Sequence, residues 1–243
     1  MHGSTLFSVE SASDVRAALA EHADPADAIH LQRFFKTGPG EYGEGDVFIG
    51  VRVPATRSVV KRFRDLPLAE VDSLLDDPVH EHRLAGALIL VAQYPDDSDA
   101  VFDTYLAAVH RGRINNWDLV DASAEHIVGL YVRTGRVPAA LLEDLAASSD
   151  LWERRVAVLA TFDFIKHGDA APTLALAERL LADPQDLIQK ATCWMLREVG
   201  KRVSREALTG FLDAHAAAMP RTMLSYATEH LDAEERRRYR ALR

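Results

Sequence analysis

A recurring alanine is the feature that most constrains the fold of this chain. Four helix-like segments end on an alanine in the same register, and the steps between these alanines are 72, 34 and 36 residues: Ala85, Ala157, Ala191 and Ala227. A period of this length is typical of two-helix units that stack and share a continuous core. The spacing therefore predicts an all-α protein built as one solenoid.

An acid stands at the one place where the repeat lacks its alanine. The first step spans two periods, so a member is expected near position 121, where the chain has Asp121. Trp117 precedes it by four residues, so both side chains lie on one face of a helix. An indole beside a carboxylate attracts a cation, which predicts a binding site. The structural alternative is a core Trp117 and an Asp121 bonded to an arginine or to a helix end.

Length and composition favour a single large domain inside a reducing compartment. The 243 residues are 48% hydrophobic, enough for a full core, and we expect one domain over residues 1–243. The single cysteine, Cys193, excludes an internal disulfide and a cysteine-based metal cage. His80 and His82 face different directions on a helix, which disfavours a metal site. We expect a cytoplasmic monomer with no secretion signal, no membrane span and no cofactor.

The charge is acidic on average but basic in places. The net charge is −9, from 28 basic and 37 acidic residues, and residues 1–30 carry five acids and one arginine. This average disfavours a partner as negative as DNA. Basic residues nevertheless cluster at two places: Arg52, Arg57, Lys61, Arg62 and Arg64, and Lys190, Arg197, Lys201 and Arg202. A local basic surface is therefore compatible with the sequence.

A glycine-rich segment over residues 37–50 interrupts the helical pattern and holds five of the 13 glycines. Residues 38–43 read G-x-G-x-x-G, but no strand precedes them and no helix opens on the third glycine. Three acids in the segment would repel a phosphate: Glu41, Glu44 and Asp46. The pattern therefore indicates a mobile surface loop, placed beside a binding cleft, and not a dinucleotide site.

The three tryptophans occupy matching places in successive repeats. Trp152 precedes Arg155 by three residues, and Trp194 precedes Arg197 by the same step. Three tryptophans buried in a core are the structural alternative, because indole side chains are often mostly buried. Their position beside charged residues favours a ligand-binding face.

Five segments in order resemble the DNA alkylation repair family of HEAT-like-repeat DNA glycosylases: residues 34–46, 48–54, 116–121, 151–155 and 188–198. The resemblance extends over about residues 30 to 230, and the glycine-rich segment is similar to that of one branch of the family. It implies a right-handed solenoid of antiparallel helix pairs whose concave face binds double-stranded DNA. It also implies the release of purines alkylated at N3 or N7.

The resemblance assigns roles to four residues of this chain. It places the catalytic aspartate at Asp121, the cleft tryptophans at Trp117 and Trp194, and the phosphate-facing arginine at Arg155. Further candidates for phosphate contacts are Arg52, Arg154, Lys190 and Arg197. For these four, ordinary solvation or ion pairing is the structural alternative.

Three positions depart from the family pattern and leave alternatives open. Asn116 stands where active members commonly have a tryptophan, Phe34 where a tyrosine is expected, and Arg52 where a glutamine is expected. One alternative is a non-catalytic binder of bent, damaged or branched DNA. Another is a helical-repeat scaffold that binds proteins. The retained Asp121 favours excision, because a pure binder of phosphates gains nothing from a carboxylate.

Overall fold

The computed structural model describes residues 10–242, which are mostly helical and contain no β-strand. A single parallel β-bridge joins Val47 to Val79. The predicted all-α class is confirmed. Over this described range, none of the helices combines the length and the apolarity that crossing a membrane requires.

The chain forms two compact units, the first ending at Leu119 and the second beginning at Val120. The first unit contains α1 (Ala12–Ala20), α2 (Pro25–Phe34), α3 (Val53–Arg62), α4 (Leu68–Leu75), α5 (His80–Gln93) and α6 (Ser98–His110). Helix α7 (Trp117–Ala124) includes residues of both units. The second unit continues with a π-helical turn (Glu125–Gly129), α8 (Leu130–Arg133), α9 (Ala140–Ala146), α10 (Leu151–Lys166), α11 (Ala171–Arg179), α12 (Asp186–Arg202), α13 (Arg205–His215), α14 (Arg221–Ala227) and α15 (Ala233–Ala241). A single domain over residues 1–243 stays a prediction.

In the first unit, α5 is the central helix. It packs against α3, α4 and α6, and residues 80–90 are all buried. Its first turn nevertheless carries four polar or charged side chains: His80, Glu81, His82 and Arg83. Buried charges require partners, so the start of α5 is a place where specific polar contacts are expected.

In the second unit, three helices pack in succession, α10 against α12 and α12 against α14. Their register alanines, Ala157, Ala191 and Ala227, are fully buried, as is Ala85 in α5. A small side chain lets a neighbouring helix approach closely, so the predicted packing role of these alanines is confirmed. A single continuous solenoid with a concave face stays a prediction.

The π-helical turn after α7 packs closely on α10. A Cβ atom at Gly129 would lie 2.3 Å from the carbonyl oxygen of Ala160, so only glycine fits there. Within the same turn, the buried Glu125 forms an ion pair with Lys166 of α10. These contacts fix the helical segment that follows Asp121.

Cys193 belongs to the core of the second unit. Its thiol donates to the carbonyl oxygen of Lys190 at 3.0 Å. Burial raises the pKa of the Cys193 thiol to about 12, so the side chain is protonated at neutral pH. It is a packed thiol and not a nucleophile.

Candidate functional site

Asp121 and Arg155 form a bidentate ion pair between α7 and α10. The Nε of Arg155 donates to Oδ1 of Asp121 at 2.9 Å, and its Nη2 donates to Oδ2 at 2.8 Å. The Asp121 side chain is 20% exposed and that of Arg155 is 6% exposed. A paired, planar contact of this kind fixes the orientation of both groups. Asp121, the acid that replaces the repeat alanine, is therefore held in one orientation while part of its carboxylate stays exposed to solvent.

Arg155 is bound on a further edge by the backbone of α12. Its Nη1 donates to the carbonyl oxygen of Leu187 at 2.6 Å. The guanidinium is thus enclosed by Asp121 on one side and by a helix start on the other. This burial does not fit the direct phosphate contact that the sequence analysis expected of Arg155. The geometry fits a residue that positions Asp121.

The other cations predicted to contact phosphate are each paired with a carboxylate of the protein. The pairs are Arg52–Asp27 at 2.6 Å, Arg154–Asp183 at 2.8 Å, Lys190–Asp186 at 2.6 Å and Arg197–Glu229 at 2.6 Å. Arg154 also donates to two backbone carbonyls and is largely buried. Exposed ion pairs contribute only about 0–1 kcal/mol, so Arg52 and Lys190 can exchange a carboxylate for a phosphate at small cost.

The tryptophans of the second unit differ in exposure. Trp152 is buried in α10, so this tryptophan is a core residue, which was the alternative to a ligand-binding role. Trp194 in α12 is partly exposed, and its ring centroid lies 5.9 Å from that of Phe162. The cationic groups of Lys166 and Arg202 lie over the Phe162 ring. Nζ of Lys166 is 4.8 Å and Cζ of Arg202 is 5.4 Å from the centroid of that ring. Trp194 therefore belongs to a surface cluster of aromatic and cationic side chains.

Trp117, in the first unit, is held by aromatic neighbours and is partly exposed. Phe35 stacks on it at 5.1 Å between centroids and an interplanar angle of 19°. Phe34, which is exposed, meets the ring edge-on at 5.9 Å. The indole Nε1 donates to the hydroxyl of Tyr42 at 3.3 Å. The glycine-rich segment therefore contacts Trp117 directly.

A buried histidine lies beneath this aromatic group. Nδ1 of His80 is 3.1 Å from Oδ2 of Asp46, and Nε2 is 2.8 Å from Oδ2 of Asp118. Burial lowers the pKa of His80, but the charges and hydrogen bonds of Asp118 and Asp46 outweigh it and raise the pKa to about 9. At neutral pH both ring nitrogens therefore carry protons, and each donates to a carboxylate.

Asp46 links the glycine-rich segment to the first turn of α5. Its Oδ1 accepts from Nη2 of Arg83 at 2.5 Å, and Phe48 stacks on His80 at 4.4 Å between centroids. Burial raises the pKa of Asp46, but hydrogen bonding to His80 and the charge of Arg83 outweigh it and lower the pKa. The expectation of a mobile surface loop is wrong for Asp46 and Phe48, which are both buried.

Glu81 anchors the end of the same segment. Its Oε1 accepts from the backbone N–H groups of Ile49, Gly50 and Val51 at 3.2, 2.8 and 3.1 Å. Gly50 has φ +84°, and a Cβ atom there would lie 2.0 Å from the carbonyl oxygen of Asp24. Glycine is therefore required where the segment passes α2.

Asn116 joins the Asp46 cluster to the start of α7. It is fully buried, its Nδ2 donates to Oδ2 of Asp46 at 3.2 Å, and its Oδ1 accepts from the Trp117 backbone N–H at 2.8 Å. The position at which the family resemblance predicts a tryptophan is thus occupied by a polar residue that supports the glycine-rich segment. Two distinctive features of this chain, Asn116 and that segment, are parts of one network.

Comparison with known proteins agrees with this architecture. The sequence profile of the DNA alkylation repair enzyme family matches residues 15–231. A solved structure of a predicted DNA alkylation repair enzyme from Enterococcus faecalis superposes with a TM-score of 0.70 at 16% sequence identity, covering 87% of this chain and 98% of that chain. At this identity the likeness shows the fold alone. No curated protein matches the chain. Because the profile spans most of its length, this protein belongs to the DNA alkylation repair enzyme family, whose role is in DNA repair.

Proposed function

We propose that this protein is a DNA glycosylase that hydrolyses the N-glycosidic bond of cationic N3- or N7-alkylated purines in duplex DNA. The observation that carries the proposal is the Asp121–Arg155 pair, in which a buried guanidinium holds a partly exposed carboxylate in a fixed orientation. Membership of a DNA repair family supports DNA as the substrate. An aspartate in this setting supports a reaction that develops positive charge.

The chemistry of the lesion explains why a single carboxylate is sufficient. Alkylation at N3 or N7 gives the purine a positive charge, so the base leaves without being protonated. The difficult step is the formation of the sugar oxocarbenium ion as the bond stretches. Asp121 stabilises that ion and orients a water molecule toward it, as carboxylates do in glycoside hydrolysis.

Arg155 acts through Asp121 in this proposal and is a positioning residue. A charge that is already oriented stabilises a transition state without reorganising during the reaction. The bidentate contact with Arg155 supplies that orientation, and the Leu187 carbonyl in turn orients the guanidinium.

Trp117 and Trp194 remain candidates for contacts with DNA. Each is partly exposed, and each has an aromatic neighbour that restricts its ring, Phe35 for Trp117 and Phe162 for Trp194. The face of an indole attracts a cation, and an alkylated purine is a flat cation. Each ring, taken by itself, therefore suits a cationic base better than a neutral one.

The test of this proposal compares a cationic with a neutral leaving base. Two duplexes of one sequence are incubated with the protein, one carrying N7-methylguanine and the other hypoxanthine, and the free bases are measured by chromatography. We expect release of N7-methylguanine and none of hypoxanthine, because the mechanism relies on a charge already present on the base. Equal release of both bases would show that the protein protonates its leaving group, contrary to the proposal.

A non-catalytic binder of damaged or bent DNA is the second candidate. The contact between Tyr42 and the Trp117 indole favours it, because the glycine-rich segment then covers part of this ring. The buried Asn116 favours it too, since no aromatic side chain stands at that position. This candidate predicts tight binding of the N7-methylguanine duplex with no release of the base.

A further inference from the structure

The ion pairing of the predicted phosphate contacts raises the question of which cations are available to DNA. Arg221 and Arg240, in the second unit, are both exposed. Among residues 10–242, no ion pair or side-chain hydrogen bond involves either guanidinium, in contrast to Arg205 and Arg238 nearby, which bind Glu235 and Asp213. Two arginines without a carboxylate partner form a local excess of positive charge on an acidic protein.

The two arginines line the same cavity. It has a volume of about 670 Å³ and is lined by Arg221, Thr222, Leu224, Ser225, Tyr226 and Arg240. Leu224 is buried in the core, whereas Tyr226 is half exposed. Among residues 10–242, the lining thus combines two guanidinium groups with three hydroxyl groups and contains no carboxylate.

This set of groups matches a phosphate. A guanidinium presents paired N–H donors that fit two phosphate oxygens, and serine, threonine and tyrosine hydroxyls donate to the same kind of acceptor. A cationic ligand would be repelled by both arginines. We propose that this cavity binds a phosphate of the DNA backbone, outside the residues assigned to base release. The proposal rests on the proposed function only in taking DNA as the partner.

The helices that carry the arginines are anchored in the core. In α14, Met223 and Leu224 are buried two and three residues after Arg221. In α15, Tyr239 is buried beside Arg240, and its hydroxyl lies 3.0 Å from Oδ1 of Asp213 in α13. Each arginine therefore projects from a fixed backbone, which lowers the entropy lost when a phosphate binds.

The salt dependence of DNA binding tests the cavity. Affinity for an undamaged duplex is measured between about 50 and 200 mM salt for wild type and for the double variant Arg221→Gln/Arg240→Gln. Loss of one phosphate contact is expected to reduce the slope of log affinity against log salt by about 0.9. Over this range, the variant should lose about threefold less affinity than wild type. An unchanged slope would overturn the proposal.

A matched control separates the cavity from net charge. The double variant Arg205→Gln/Arg238→Gln removes the same charge from the same unit, but both of its arginines are ion-paired. We expect its slope to equal that of wild type. If both double variants reduce the slope equally, net charge and not the cavity governs binding.

Two further measurements distinguish a DNA-binding cavity from the glycosylase proposal and from a site for a free phosphorylated ligand. Release of N7-methylguanine by the wild-type protein is measured separately from the salt slope, so a failure of the cavity and a failure of the glycosylase proposal give different results. Calorimetry with inorganic phosphate identifies a small-molecule site. Saturable phosphate binding, lost in this variant while the DNA slope is unchanged, would assign the cavity to a free phosphorylated ligand and overturn the proposal.

Discussion

The Asp121→Asn variant is expected to release N7-methylguanine about 100- to 1000-fold more slowly than wild type. An amide has nearly the same shape as the carboxylate but no charge with which to stabilise the sugar cation. The measurement is the single-turnover rate of base release, with enzyme in excess over a duplex that carries one lesion. A variant that is as fast as wild type would show that Asp121 is not catalytic.

The same substitution also affects stability, which the experiment must control. Asparagine cannot neutralise the buried Arg155, and breaking a buried ion pair by removing one partner costs about 3–5 kcal/mol. Because Asp121 is 20% exposed, we expect the lower end of this range. The double variant Asp121→Asn/Arg155→Met removes both charges and should recover part of the free energy of unfolding. If it is more stable than the single variant but equally slow, unfolding does not explain the lost activity.

The second large effect is a loss of stability between neutral and alkaline pH that depends on His80. Its pKa is about 9 in the folded protein, against 6.5 for the free side chain. Because this pKa is raised on folding, protonated His80 stabilises the folded state. The contribution to the free energy of unfolding is complete below pH 6.5 and is lost as the pH rises to 9. A shift of this size corresponds to about 3 kcal/mol. The free energy of unfolding, measured by urea denaturation, should therefore fall over this window.

A substitution that cannot titrate isolates this contribution. Glutamine at position 80 can donate to Asp46 or Asp118 but carries no charge, so His80→Gln should be less stable than wild type at pH 6.5. The difference should shrink as the pH approaches 9, where His80 loses its proton. The Cys193 thiol has a pKa of about 12 in the folded protein, and any slope from its ionisation in the unfolded chain is the same in wild type and variant, so it cancels in their difference. Parallel pH profiles for wild type and variant would contradict the charged state assigned to His80.

The repeat could be predicted from the sequence because its signal is local. Each register alanine ends a helix-like segment of eight or nine residues, and every such alanine is buried. Asp121 stands out against that regular background, so its position was evident before its partner was known. The partner, Arg155, lies 34 positions further along the chain, so only the three-dimensional structure identifies it.

The His80 cluster could not be predicted because its partners are distant and irregularly placed. His80 meets Asp46 and Asp118, which are 34 and 38 positions away in opposite directions along the chain. In the sequence, residues 80–83 look like the solvated first turn of a helix, and the acids of residues 41–46 look like an exposed loop. Only packing of the aromatic rings around His80 shows that these charges are buried.

The ion pairs formed by the predicted phosphate contacts are foreshadowed in the sequence by the spacing between arginines and acids. Arg154 and Asp183 are 29 positions apart, Arg197 and Glu229 are 32 apart, and Arg155 and Asp121 are 34 apart. These separations are close to the repeat period, so equivalent surfaces of consecutive repeats bring the two charges together. An arginine with an acid about one period away is therefore better interpreted as paired than as available to DNA.

The glycosylase proposal is tested most directly by counting abasic sites. Wild-type protein in excess is incubated with a duplex that carries a single N7-methylguanine, and the strand is then cleaved at abasic sites with alkali. The mechanism assigned to Asp121 predicts that abasic sites approach one per duplex, at a rate well above spontaneous depurination. A duplex that is bound by the protein but depurinates only at the spontaneous rate would contradict the proposal and leave a DNA-binding protein without glycosylase activity.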